Sequence, residues 1–524
     1  MLNNKFKILA LVLVALTAAF ATSCIDDLNT SPLDDDIVTS ENVYDTPDDF
    51  RQVLAKLYAG FSTTGQQGPA GNADIQGIDE GFSSYIRQYW VHQVITTDEA
   101  VVGWNDEGLP EFNFHSWGPS NDFVMGMYSR IFYEVALTNE FIRESQQRDE
   151  SEIVEMEAEA RFLRALSYWH ALDLFGGNVP FVTEEDPVGA YMPEPTSSED
   201  LFNYIESELL EILDDLAAPG QNEYGRADQG AAWTLLSKLY LNAEVYIGEE
   251  RYDDALTYAE RVIDEGGYEL ADNYDYLFLA DNDSNESTSE VIFPIRFDGE
   301  NLQTFGGTQF IIHAAVGGSM SATNDFGIET GWAGHRVTPE FVEFFDDADS
   351  RTMFYTNGQS LEIDELSEFT NGYAVTKWKN VTSTGQPGKR LDFVDTDFPM
   401  FRLADVYLMY AEATVRGASG GDETTAAGYI NELRERGFGD DSENITAGDL
   451  DLDLILQERS RELYWEGHRR TDLRRFNLYT GDDYVWSWKG ETQEGSGTSD
   501  HYEIFPIPSS DINSNLNLTQ NPGY

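Results

Sequence analysis

AAWTLLSKLYLNAEVYIGEERYDDALTYAERVID, residues 231–264, decides the fold. Apolar residues recur at helical spacing over 228–247 and again over 252–265, with a short turn between and Gly266 and Gly267 as the stop. Alanines fall where two helices must approach closely. Helix, short turn and helix on this scale predict a tetratricopeptide-like hairpin. That motif repeats at about 34 residues and buries its apolar face by stacking on neighbours.

The same texture extends in both directions. Upstream, 121–144 places Val124, Tyr128, Ile131, Phe132, Val135 and Leu137 on one side. The segment 151–174 opens with Ser151 and a glutamate-rich first turn, runs through EAEARFLRALSYWHALDLFG, and stops at Gly176 and Gly177. A further helix is predicted over 201–216, and an opening one over 42–58. Downstream come RLADVYLMYAEATVRG (402–417), ETTAAGYINELRERG (423–437) and DLDLILQERSRELYWEGHRRTDLRRF (451–476), the last with a break expected at Gly467. Residues 268–400 differ. Short apolar strands such as VIFPIRF alternate there with Gly-, Asn- and Thr-rich loops and the polar tract DNDSNESTSE (281–290). Loops of this length inside a domain usually serve a function. The expected fold is all-α, mostly α-helical. A tetratricopeptide-like scaffold (41–267 and 400–480) supports a loop-rich variable lobe with few short strands (mainly 60–120 and 268–400). A tail at 501–524 completes a single unit, 41–524.

The N-terminus, MLNNKFKILALVLVALTAAFATSC, has two lysines, an apolar run and small residues before the only cysteine. It reads as a lipoprotein signal peptide (1–23) with lipidation at Cys24, followed by an acidic tether (24–40). With Cys24 acylated, no disulfide forms within the chain. Acidic residues number 95 against 32 basic, a net charge of -63. Such a surface excludes nucleic acid and anionic membrane as ligands and fits a saline habitat. Aromatic residues at 13% supply a large core, which excludes wholesale disorder.

The chain ends FPIPSSDINSNLNLTQNPGY (505–524). Together with DTPDDFRQVLAKLY (45–58), TTDEAVVGWNDEG (96–108), the 117–142 and 157–182 segments, YINELRERGF and ERSRELYWEGHRRTDLRRF, this ending resembles the SusD/RagB family, outer-surface glycan-binding lipoproteins of Bacteroidetes. The resemblance covers nearly the whole mature chain. It implies four tetratricopeptide-like helix pairs under a variable ligand lobe, and a lipid-anchored place on the outer-membrane surface. It also implies a SusC-like TonB-dependent transporter as partner, over which the protein closes as a lid. The helical face would then serve as scaffold and transporter contact. In the family, ligand-stacking aromatics often sit in the loop equivalent to 96–108.

Sugars present apolar ring faces edged by hydroxyls, so a site needs aromatic platforms beside Asn, Asp, Gln or Arg. Trp104 in GWNDEG leads, with Asn105 and Asp106 as polar neighbours. Trp332 in ETGWAGHR follows, with Asn324 and Asp325 nearby in sequence. Trp90, beside Tyr85 and Tyr89, and Trp378 in VTKWKN read equally well as core or ligand contact. Arg164, Arg459, Arg461, Arg469, Arg470 and Arg474 read as partners of neighbouring glutamates rather than anion ligands. No H-E-x-x-H or phosphate loop is present, and adjacent acids such as Asp98 and Glu99 do not make a glycosidase. The reading is therefore not an enzyme. No organic cofactor is expected. Calcium is left open by DNYDY (272–276) and 281–290, although neither matches an EF-hand loop. The function expected is surface capture of neutral oligo- or polysaccharide, with a laminarin-type β-glucan as the ecological guess, and delivery to the transporter. An outer-membrane scaffold or peptide-capture protein is the alternative, and a glycosidase a distant third.

Overall fold

The computed structural model describes residues 43–189 and 191–524. The signal peptide, Cys24 and the acidic tether lie outside the described residues. Residues from Arg51 to Tyr524 form one unit by internal contacts.

The protein is mostly α-helical, and the sequence explains where its helices begin and end. The main ones are α1 (Pro47–Gly60), α2 (Tyr85–Trp90), α3 (Asp122–Ser145), α4 (Ser151–Phe175), α5 (Ser198–Glu211), α6 (Gln229–Leu241), α7 (Tyr252–Glu265), α8 (Gly307–Ala315), α9 (Leu403–Val415), α10 (Glu423–Phe438), α11 (Leu452–Leu463) and α12 (Arg469–Arg475). Side chains of Asn121, Ser197, Asp228, Asp422 and Asp451 accept backbone N–H groups in the first turns of α3, α5, α6, α10 and α11. Hairpins α3–α4, α6–α7 and α9–α10 pack side by side, with α7 against α9 and α9 against α11. Every residue of α4 from Phe162 to Phe175 is buried, so this helix runs through the core rather than along its surface.

Three elements depart from the periodicity. The 42–58 helix begins only at Pro47, where proline's fixed φ suits a first turn. The 228–247 helix breaks at Asn242, whose amide donates to Lys238 O at 2.8 Å while its oxygen accepts from Arg475 at 2.9 Å. The 451–476 segment is two helices, because Trp465 (φ 64°) and Gly467 (φ 81°) reverse the chain between them. The few strands are short: β1 (Val101–Val102), β2 (Val291–Ile295), β3 (His335–Arg336), β4 (Phe354–Tyr355), β5 (Ala374–Val375) and β6 (Phe398–Arg402). They pair antiparallel as β1–β3, β2–β6 and β4–β5. Among the described residues no helix is long and apolar enough to cross a membrane.

Buried ion pairs join the helical blocks alongside the apolar core. Arg402 pairs with Glu290, Glu462 and Glu466, and Arg351 with Asp349, Glu458 and Glu462, all essentially without solvent contact. Arginine's planar fork suits such carboxylate clusters. The six arginines singled out in the sequence are all paired with acids: Arg164 with Glu184 and Glu208, Arg459 with Asp405 and Asp472, Arg461 with Glu458, Arg469 with Asp98, and Arg470 and Arg474 with Asp173. The tail closes the fold. Tyr524 donates to Ile504 O and accepts from the Trp117 indole, each at 2.8 Å, and Asn521 donates to Phe175 O at 2.9 Å and to Phe505 O at 2.7 Å.

Candidate functional site

Two chain segments distant in sequence meet at β1–β3, with Val101 opposite Arg336 and Val102 opposite His335. The pairing continues one residue further, Gly103 N donating to Gly334 O at 2.9 Å. The 332–334 backbone is also pinned to the end of α8. Trp332 N donates to His313 O at 2.6 Å, Gly334 N to Ala314 O at 2.8 Å and Ala333 N to Val316 O at 2.9 Å. Helix C-termini leave carbonyls without intrahelical partners, and here a loop uses them. Arg336 fastens the other side, donating to Gly334 O and to Asn371 O at 2.9 and 2.8 Å.

This frame brings Trp104 and Trp332 together. The Trp104 indole N–H donates to Trp332 O at 3.1 Å, and the two ring centroids lie 6.4 Å apart at 50°. Both rings are half-buried. With the Trp104 N–H committed to protein, what it offers outward is ring surface. The ring needs the glycine beneath it: a Cβ on Gly334 would stand 2.4 Å from the indole. His313 packs against Trp332 with centroids 4.7 Å apart, its Nδ1 on Thr330 O at 2.8 Å. Burial pulls His313 down to about 4, so the ring is neutral at physiological pH. Arg87 lies over the Phe310 ring at 4.2 Å, and Asp106 and Asp79 are the acids whose charge it feels. Asn105 and Asp106 are exposed at the rim.

Two expectations need correction. Trp90 has no exposed surface. Its N–H donates to Trp465 O at 3.0 Å and its ring stacks on His335 at 4.8 Å, so it supports the site from behind. Trp378 is 2% exposed and lies parallel to Phe398, 5.7 Å away, three residues past the end of β5. Asn324 is exposed, and its amide donates to Ser321 Oγ at 3.0 Å.

Sequence reasoning gave Asp98 and Glu99 no role, yet they hold the Trp104 loop. Asp98 takes a two-pronged bond from Arg469 at 2.7 and 2.6 Å and a hydroxyl from Tyr484 at 2.6 Å. Glu99 accepts Trp465 N at 3.0 Å, and its own carbonyl accepts the Trp465 indole at 2.9 Å. Burial pushes Glu99 up to about 8. His313 and Phe310 were also missed, since FIIHAAVGG reads as an ordinary core helix.

Of Lys377, Lys379, Lys389 and Arg390, the basic residues near the lobe, three are paired with acids. Lys377 is buried on Glu466 at 2.7 Å, Lys389 pairs with Asp298 at 2.6 Å and Arg390 with Asp392 at 2.6 Å. Among the described residues no group of three or more His, Cys, Asp or Glu is placed to hold a metal ion. Three of the four acids in the 281–290 tract are engaged within the protein, which leaves calcium few free ligands there. Asp281 accepts from Ser383, Glu286 from Asn273, and Glu290 pairs with Arg402 and Arg436.

The SusD family model matches residues 353–524. The starch-binding protein SusD of Bacteroides thetaiotaomicron is 35% identical, across 99% of this chain and 98% of that protein. This chain belongs to the SusD/RagB family. SusD-like protein P2 of Formosa agariphila is 25% identical over 99% of this chain and all of its own length. Among solved structures, surface glycan-binding protein A from B. thetaiotaomicron in complex with laminarihexaose superimposes with a TM-score of 0.69. It is 20% identical and covers 90% of this chain and 99% of that one. A laminarin-binding SusD-like protein gives 0.69 at 22% identity, over 91% of this chain and 99% of that one. These structural likenesses carry the fold alone. SusD/RagB proteins are non-catalytic, outer-membrane, cell-surface glycan-binding lipoproteins that work with SusC transporters, and this chain is one of them.

Proposed function

We propose that this SusD/RagB protein captures a neutral glucan on the Trp104–Trp332 surface and delivers it to a SusC-like TonB-dependent transporter. The observation that carries the reading is the pair of half-buried indoles, fixed on one frame by β1–β3 and the end of α8. Asn105, Asp106 and Arg87 supply hydroxyl partners around them. In this reading residues 1–23 are removed, Cys24 carries the acyl chains and 24–40 form the tether. Scaffold or peptide capture through the helical repeats gains no observation of its own.

Between glucans, we favour an α-glucan of the starch type over laminarin. The starch-binding relative is 35% identical along the whole chain, whereas the laminarin-binding structure, at 22%, argues only for a shared fold. Titration calorimetry with maltohexaose and laminarihexaose separates them. Tighter binding of maltohexaose is expected, and a preference for laminarihexaose overturns the assignment.

A further inference from the structure

Among the described residues five large apolar side chains stand in water; Leu210 is alone on α5, and the other four fall on two segments joined by hydrogen bonds. Val188, Tyr191 and Met192, in one loop, are 78%, 41% and 52% exposed, and Leu516 on the C-terminal tail is 80% exposed. The tail is clamped to that loop. Asn515 donates its amide to Pro193 O at 2.8 Å and Asn517 donates to Met192 O at 3.0 Å. Leu516 lies between those two asparagines, so it and Met192 form one patch.

The rim is acidic. A depression of about 770 Å³ beside the loop is lined by Tyr191 and Tyr204 together with Glu185, Asp186, Glu194 and Asp200. The Tyr191 phenol feels the charges of Asp186 and Glu194. Two arginines reach the base of the loop, but both are committed. Arg143 holds the carbonyls of Glu184 and Asp186 and the Glu140 carboxylate, and Arg164 holds Glu184 and Glu208.

A contiguous exposed apolar patch with a polar rim marks an interaction surface. Charge decides what covers it. A second copy would bring two acidic rims together in a chain of net charge -63, and like charges set face to face cost several kcal/mol. An anionic lipid surface is repelled in the same way. A protein loop with apolar residues flanked by lysine or arginine satisfies both the patch and its rim.

We propose that the Val188–Met192–Leu516 patch docks such a loop on the extracellular side of the transporter. The proposal rests on the transporter pairing given above. It gives the middle of the C-terminal signature, around Leu516, a place at the interface.

The test is co-purification in detergent of the tagged lipoprotein with its co-expressed transporter. Met192→Glu/Leu516→Glu should lower transporter recovery by at least about tenfold while the melt and glucan affinity stay unchanged. Glu185→Lys/Glu194→Lys should lower it as well. If wild-type protein retains no transporter, the pairing itself fails and the patch with it. If wild type retains it and the glutamate variant retains it equally, the patch alone is overturned. A photo-crosslinking residue at Met192 in otherwise unaltered protein gives a second readout that does not depend on the variant folding. A crosslink to the transporter supports the proposal, and a crosslink to a second copy, or none, refutes it.

Discussion

Asp98→Ala is the sharpest perturbation of the frame that carries Trp104. In the native protein Asp98 and Arg469 are 0% and 2% exposed and joined by two bonds, at 2.7 and 2.6 Å. Removing the carboxylate leaves a buried guanidinium with only Ser460 Oγ, at 2.7 Å, and the rings of Phe341 and Phe344 around it. It also strips the Tyr484 hydroxyl of its acceptor. Breaking one side of such a pair costs about 3–5 kcal/mol. Unfolding entropy near 2.1 cal/mol/K per residue amounts to about 1 kcal/mol/K for a unit of roughly 470 residues, so Tm should fall by about 3–5 °C. Arg469→Met in the same background removes the stranded charge. The double variant should therefore recover about half of the loss or more, as buried pairs replaced by apolar groups often do. Calorimetric melts of the four proteins complete the cycle. An Asp98→Ala melt within about 1 °C of wild type, or a double variant no better than the single, refutes the reasoning.

Three further outcomes follow from the charges. Because the net charge is -63, thermal stability should rise from dilute buffer to about 0.5 M sodium chloride, where the screening length falls to a few ångströms, and a flat or falling melt contradicts this. At that salt, acid should destabilise the protein from about pH 6.5 downward. Burial holds His92, His115, His170 and His468 at about 3 against an unfolded 6.5, so the unfolded chain takes up protons first. Arginines hold Glu412 and Glu458 at about 2, which adds a loss below 4.5 in the same direction. Glu99, raised to about 8, acts oppositely, its stabilisation fading as pH climbs from 4.5 through 8. Glu99→Gln should therefore flatten the decline above neutrality, and melts across pH check both signs. Neutral glucans should bind more tightly than alginate or pectate, since Lys377, Lys389 and Arg390 are paired, and calorimetry favouring a charged polymer overturns that.

Most of the scaffold was legible because helices announce themselves locally. Stops such as Gly176 and the 3.6-residue period need no knowledge of distant segments, whereas the cap Ser197 is missed, its helix being expected only from 201. The break at 464–468 was only half legible. Gly467 is visible in sequence, but Trp465 adopts φ 64° because Glu99, far away in the chain, holds its N–H. The site divided along the same line. Trp104 and Trp332 stood out as indoles among Gly, Asn and Asp, and the fold places them on one frame. Trp90 and Trp378 carry no local sign of burial, since it comes from Trp465, His335 and Phe398, which only the tertiary fold supplies. Asp98 and Glu99 were invisible among 95 acids, because their partners are Arg469 and Trp465 across the molecule.

The central claim is that a glucan stacks on Trp104 and Trp332. The direct measurement is titration calorimetry of maltohexaose against wild type, Trp104→Ala, Trp332→Ala and the double variant, each checked for an intact melt. Truncating a stacking tryptophan typically costs about 2 kcal/mol or more, which is roughly a thirtyfold loss of affinity. Each single variant should lose at least that much, and the folded double variant should show no measurable binding. A folded double variant that binds with wild-type affinity contradicts the account and moves the site elsewhere.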